Sequence, residues 1–218
     1  TIDITTGSLT NEGDFTLVLY DHQGNEVWES EHFIGLDFDY ATAPIISDMD
    51  HDGSPEIVAG RVILNNDGTT RGVGQYGRGS YGITEVWDWV ITETTVSAVA
   101  DLDLDGVEEV IVGNAWYNPD GEAIWHDLGA EDAMVAIANL DDDIEGEMVL
   151  VSFNTVRAVD TDGQTIWGPT TVTGANIVSP PAIADLDNDG EVEIVVAGGN
   201  TLWTLNADGS LLWSATVQ

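Results

Sequence analysis

The chain has 218 residues, with four Lys plus Arg against forty Asp plus Glu, no Cys, and a formal charge of −36 at neutral pH. The lack of cysteine excludes disulfides, thiol nucleophiles and Cys-ligated zinc, and so acidic a surface repels nucleic-acid backbones and anionic lipid headgroups. Hydrophobic residues make up 43% of the sequence and include eight Trp, which sets the chain apart from disordered acidic tails, while no apolar run approaches the roughly 20 residues needed to insert across a bilayer.

The chain opens at Thr1 without an initiator Met, a basic segment or an apolar leader, as expected of a processed mature chain or a piece of a larger one. Residues 1–40 read as a partial repeat, in which a strand from Phe15 leads to a turn with Gly24 and then to Trp28. Residues 41–90 hold a fuller copy. The apolar run Ala43 to Ser47 precedes the phrase Asp48-Met-Asp50-His-Asp52-Gly53-Ser-Pro-Glu56, and the β-branched run Ile57 to Ala59 follows it. A turn at Asp67-Gly68 comes next, and its Trp is expected at Trp87, beyond a Gly-rich insertion over 69–84.

Residues 91–128 repeat the pattern with Asp101-Leu-Asp103-Leu-Asp105-Gly106-Val-Glu-Glu109, Val110 to Val112, and Gly121 to Trp125. Residues 129–170 carry Asn139-Leu-Asp141-Asp-Asp143-Ile144-Glu-Gly-Glu147 and Gly163 to Trp167, and residues 171–218 carry Asp185-Leu-Asp187-Asn-Asp189-Gly190-Glu-Val-Glu193 and Gly209 to Trp213. The spacing of about 46 residues is that of a propeller blade. Short β-branched runs bounded by Gly and Asp read as buried strands, and the Asp-Gly pairs as hairpin turns. The whole chain is therefore predicted to be one repeat array, an all-β propeller of four-stranded antiparallel blades. About 4.5 to 5 blades fit, either as an arc of a larger propeller or as a small five-bladed ring.

Carboxylates at positions 1, 3 and 5 of each phrase, Gly at 6 and Glu at 9 make an oxygen-rich cage. Calcium takes six to eight oxygens, often including a position 7 carbonyl and a final bidentate carboxylate, whereas magnesium demands a near-octahedral shell and keeps its waters. On that template the candidate ligands are Asp48, Asp50, Asp52, Ser54 and Glu56; Asp101, Asp103, Asp105, Val107 and Glu109; Asn139, Asp141, Asp143, Glu145 and Glu147; and Asp185, Asp187, Asp189, Glu191 and Glu193. Up to four Ca2+ ions are expected. The third loop has neutral Asn139 first and Ile144 in place of Gly, so it is expected to be the weakest site or to be remodelled around Gly146.

These phrases resemble the FG-GAP and VCBS-type repeats of bacterial secreted proteins and the calcium-binding blades of integrin α-chain propellers. The literal Phe-Gly and Gly-Ala-Pro pieces are missing, so the bacterial variant is the nearer likeness. The stretch Ala158-Val-Asp160-Thr-Asp-Gly163-Gln-Thr-Ile-Trp167 also resembles the tryptophan docking motif of quinoprotein-type propellers. The first resemblance implies a calcium-stiffened, secreted or cell-surface module for adhesion, scaffolding, or carbohydrate or protein binding, possessing further blades or domains if the parent chain is longer. No catalytic residue is singled out, since no HExxH, GxSxG or phosphate-cradling loop occurs and the four His (22, 32, 51 and 126) are not grouped. The alternative is a fragment of a propeller enzyme, such as a polysaccharide lyase or a quinoprotein dehydrogenase.

The Trps at 28, 87, 125, 167 and 213 are expected to pack between neighbouring blades. Trp116-Tyr117 falls outside that register, and the pair reads either as core or as a ligand-facing surface. The insertion, with Arg71, Arg78, Tyr76 and Tyr81, reads either as a tolerated surface loop or as a contact loop for an acidic or carbohydrate partner.

Overall fold

The computed structural model describes residues 3–6, 15–33, 41–77, 94–130, 132–141, 143–152, 154–172 and 180–217. Among these, every regular element is a strand, and no helix is long and apolar enough to cross a membrane. The first sheet holds β1 (Asp3–Thr6), β2 (Leu17–Tyr20) and β3 (Glu26–Glu29). β4 (Ala41–Thr42) precedes the second sheet, which holds β5 (Ile45–Ser47), β6 (Glu56–Ala59), β7 (Val62–Leu64) and β8 (Thr70–Val73); β9 (Thr94–Thr95) pairs in parallel with β4. The third sheet holds β10 (Ser97–Ala100), β11 (Glu109–Val112), β12 (Ala115–Tyr117) and β13 (Ala123–His126). The fourth holds β14 (Met134–Ala138), β15 (Glu147–Ser152), β16 (Thr155–Val159) and β17 (Thr165–Thr171), and the fifth holds β18 (Ala182–Ala184), β19 (Glu193–Gly198), β20 (Thr201–Asn206) and β21 (Leu211–Thr216).

Within each of these five sheets the strands follow one another in chain order and are antiparallel. The leading strands of successive sheets lie together, β5 by β10, β10 by β14 and β14 by β18. This is the blade arrangement of a β-propeller, as the repeats predict.

Burial explains why the second strands read as unbroken apolar runs. β6, β11 and β15 are buried along their whole length, because side chains alternate in direction and both faces of the sheet are covered. Ile57 and Ala59 pack with Leu17 of the first sheet, whereas Val58 packs with Val110 and Val112 of the third. Met148 and Leu150 join Ile111 and Trp116, whereas Val149 and Val151 join Ile194 and Val196. The core is thus a series of seams between blades, with each buried Val, Leu or Ile worth about 1.5–3 kcal/mol. The last strands, β3, β13, β17 and β21, are mostly exposed.

The recurring Trps lie across these seams. Trp28 sits against Gly68 and donates from Nε1 to Asn66 O at 3.0 Å, and Trp167 sits against Gly209 and donates to Ala207 O at 2.7 Å. Trp125 sits against Gly163 in the same way. The series ends at Trp213, which is 44% exposed.

The second sheet departs from the expected pattern. Its fourth strand follows the Asp67-Gly68 turn directly, and Gly72 pairs with Ile63 where Trp28, Trp125 and Trp167 pair with Leu19, Trp116 and Ala158. The phrase is therefore not stretched to Trp87, which lies outside the described residues. It is a full-length copy with Gly in place of Trp. Trp116 and Tyr117 are 3% and 1% exposed, so the pair belongs to the core and not to a ligand surface.

Candidate metal centres

Each acidic loop joins the first strand of a sheet to the second, and the position 9 glutamate is the first residue of that second strand. Strand pairing pulls Glu56, Glu109, Glu147 and Glu193 inward to 3%, 3%, 0% and 3% exposure. Each uses Oε2 to accept the backbone N–H of position 2, from Met49 at 3.0 Å, Leu102 at 2.9 Å, Leu140, and Leu186 at 2.7 Å.

The other carboxylates close the loop by local hydrogen bonds. Position 3 accepts from the N–H of position 5, as in Asp105 N to Asp103 at 3.2 Å, and position 5 accepts from position 7, as in Val107 N to Asp105 at 2.8 Å. In loops one, two and four, position 1 accepts from the glycine N–H at 3.0–3.1 Å. Those glycines, Gly53, Gly106 and Gly190, hold φ of 91°, 93° and 103°, the left-handed backbone for which glycine is suited. Position 4 is left-handed too, at His51, Leu104 and Asn188 with φ of 58°, 59° and 63°. Asn and His are among the non-glycine residues most often found in that conformation, whereas Leu104 carries no such signal.

The wiring brings carboxylate oxygens together. Asp48, Asp50 and Glu56 each offer an oxygen within 4.8 Å of the others, as do Asp101, Asp103 and Glu109; Asp141, Asp143 and Glu147; and Asp185, Asp187 and Glu193. Two oxygens bound to one calcium at 2.3–2.6 Å lie at most about 5 Å apart, so each group has the span of a single ion. Asp52, Asp105 and Asp189 stand outside these groups and are engaged by the N–H of Ser54, Val107 and Glu191.

Two oxygens test the fit to a cation directly. Asp101 Oδ1 and Glu147 Oε1 are buried and have no hydrogen-bond partner, and a buried carboxylate oxygen without a donor is costly unless a positive charge faces it. Glu109, in the second loop, is perturbed as well. Its carboxyl is pushed up to about 7, first by burial and then by the charges of Asp103, Asp105 and Asp101, against the lowering effect of the Leu102 N–H. Glu147 is raised by burial and by the charges of Asp141, Asp143 and Asp160, again against a backbone N–H, from Leu140. The donor set therefore suits a metal ion.

The third loop differs in detail. Asn139 donates from Nδ2 to Asp143 O at 2.6 Å, and neither Ile144 nor Gly146 takes left-handed backbone. The remodelling thus runs through the Asn139 side chain and not through Gly146. This loop also has a neighbour that the sequence reading missed: Asp143, Glu145 and Asp160 form a further group within 4.8 Å. Asp160 stands three residues before Gly163, where the second, third and fifth sheets carry Asn65, Asn118 and Asn206. The first sheet carries Asp21 at that position, so the residue type alone does not mark the group.

Loops three and four also bound a cleft of about 540 Å³, lined by Asp141, Asp189, Glu191, Glu193, Ile166 and Trp167.

The sequence matches no family model and no curated protein. Several solved structures share the fold. The V. cholerae biofilm matrix protein Bap1 aligns with 99% of this chain and 35% of its own, at 20% identity and a TM-score of 0.66. The exotype rhamnogalacturonan lyase YesX aligns over 92% of this chain and 51% of its own, at 14% identity and a TM-score of 0.50. BBS1N, in complex with ARL6DN, aligns over 98% of this chain and 67% of its own, at 17% identity and a TM-score of 0.50. The chain spans about a third of the first and half of the second, and at such identities the likeness is one of fold.

Proposed function

We propose that the chain is a calcium-binding propeller array of FG-GAP/VCBS type over residues 1–218. In this reading it acts outside the cell in adhesion, scaffolding, or carbohydrate or protein contact, and Ca2+ stiffens the loops at 48–56, 101–109, 139–147 and 185–193. The observation that carries this reading is the buried, unpartnered pair Asp101 Oδ1 and Glu147 Oε1, each inside a cage of carboxylates built the same way in successive sheets. Calcium suits these flexible all-oxygen loops better than magnesium, and extracellular calcium modules work at about 10⁻⁴–10⁻³ M. The shared fold with a biofilm matrix protein supports the extracellular setting. Calorimetric titration of chelator-treated protein with CaCl2 tests it, with saturable binding and a higher melting temperature expected. A melt that ignores calcium overturns it.

A second reading, a polysaccharide lyase fragment, draws on the fold shared with YesX and on the acidic cleft beside Trp167. Unsaturated products released from pectic polysaccharide support it, and an inert mixture rejects it.

A further inference from the structure

The second sheet supplies its own positive charge to the first loop. With Gly72 in the Trp position, the next turn closes on the backbone of β8: a Cβ at residue 72 would lie 2.3 Å from the carbonyl carbon and oxygen of Asp120. Arg71 is thereby held between that turn and the first acidic loop. It spans Asp50 Oδ2 from Nη2 at 2.9 Å, Glu56 Oε1 from Nη1 at 3.0 Å and Asp120 Oδ1 from Nε at 3.0 Å. Its side chain is only 19% exposed, and that of Glu56 4%.

The choice of oxygen is informative. Glu56 Oε2 is taken by the Met49 N–H, which leaves Oε1 as the free oxygen of that glutamate. In the third loop the equivalent atom, Glu147 Oε1, is buried with no partner. Arg71 lies on loop carboxylates, whereas Arg157 pairs with Asp127 at 3.2 Å. A calcium ion within about 2.5 Å of the Asp50 and Glu56 oxygens would compete for the lone pairs that the guanidinium holds and would repel its charge.

We propose that Arg71 is the resident cation of the first loop, so that this loop accepts calcium only when the guanidinium is displaced, while loops two, three and four accept it directly. The inference rests on the calcium reading above and alters its count. It also gives Arg71, on β8, a partner inside the chain. A tethered guanidinium does not dissociate, so the junction between the second and third sheets stays charge-compensated in calcium-poor solution.

The test is an ion count on the full chain, stripped of metal and dialysed against about 1 mM calcium, the upper end for extracellular modules. Arg71→Gln is expected to bind one ion more per chain than the wild type, and Asp103→Asn one fewer, which shows that the count reports the loops. Equal counts for wild type and Arg71→Gln overturn the proposal and leave the calcium reading standing. Chains that bind no ion at all overturn the calcium reading itself, and this one with it. Should Arg71→Gln fail to fold, a crystal structure of the wild type grown in calcium decides: anomalous density in the later loops with Arg71 still on Glu56 supports the proposal, and an ion in the first loop overturns it.

Discussion

Gly209 lies directly beneath the indole of Trp167, so close that a Cβ there would sit 2.3 Å from Cε3. The same glycine has φ of 76°, so both space and backbone exclude a side chain. Gly209→Ala should therefore cost about 2 kcal/mol or more, the sum of a left-handed alanine and an overpacked seam. For a chain of this length that is a fall of about 4–8 °C in melting temperature. Gly24, which also has positive φ but has nothing within 4 Å of its Cβ position, is the control: Gly24→Ala pays only the backbone cost.

The seams predict a second contrast. Leu150 is 1% exposed and packs between the third and fourth sheets, so Leu150→Ala should cost about 2–5 kcal/mol. Leu211 on the last strand is 55% exposed, and Leu211→Ala should change stability by about 0.5 kcal/mol or less. Urea unfolding of the two variants measures both.

Much of this was legible because the signals are local and repeated. The loop phrase gives carboxylate spacing, the Asp-Gly turns give hairpins, and four copies give the blade. What escaped depended on contacts between residues far apart along the chain. The sequence around Arg71 shows a Gly-rich stretch, and only the pairing of Gly72 with Ile63 reveals that a Trp has been replaced and an arginine redirected onto Asp50 and Glu56. Asp160 was missed for a similar reason, since it lies 13 residues beyond Glu147 and reaches the third loop through the β16–β17 hairpin. The left-handed Leu104 is set by the loop closing around it and not by its own preference, whereas His51 and Asn188 are of types that adopt that backbone more readily.

Glu109 ties stability to pH in the metal-free chain. Its ordinary carboxyl value of 4.5 rises to about 7 in the fold, chiefly through burial. A raised carboxyl binds its proton more tightly when folded, so its contribution is full below 4.5 and is lost as pH climbs through about 7. Stripped protein should consequently melt lower at pH 7.5 than at pH 5, and Glu109→Gln should flatten that slope. Calcium favours the carboxylate and should reverse the trend. Differential scanning calorimetry at the two pH values, with and without calcium, shows whether the sign holds.

The third loop offers the sharpest test of how the cages work. Neutral Asn139 lacks the charge of Asp48, Asp101 and Asp185, and its amide instead ties down the Asp143 carbonyl. Ile144 is 81% exposed where the other loops bend through glycine. Replacing it therefore sacrifices little packing, and the paired change Asn139→Asp with Ile144→Gly restores both the charge and the turn. In calcium the double variant should melt higher than wild type by about 2–4 °C, the equivalent of roughly 1 kcal/mol, because the added carboxylate strengthens the ion's hold on the folded state. Without calcium the same carboxylate adds a further negative charge to the loop that already gathers Asp141, Asp143 and Glu147, and like charges in one loop repel, so the variant should melt at or below wild type. A gain of equal size in both conditions would mean that it comes from the changed turn alone and that the first-position charge contributes nothing to metal binding.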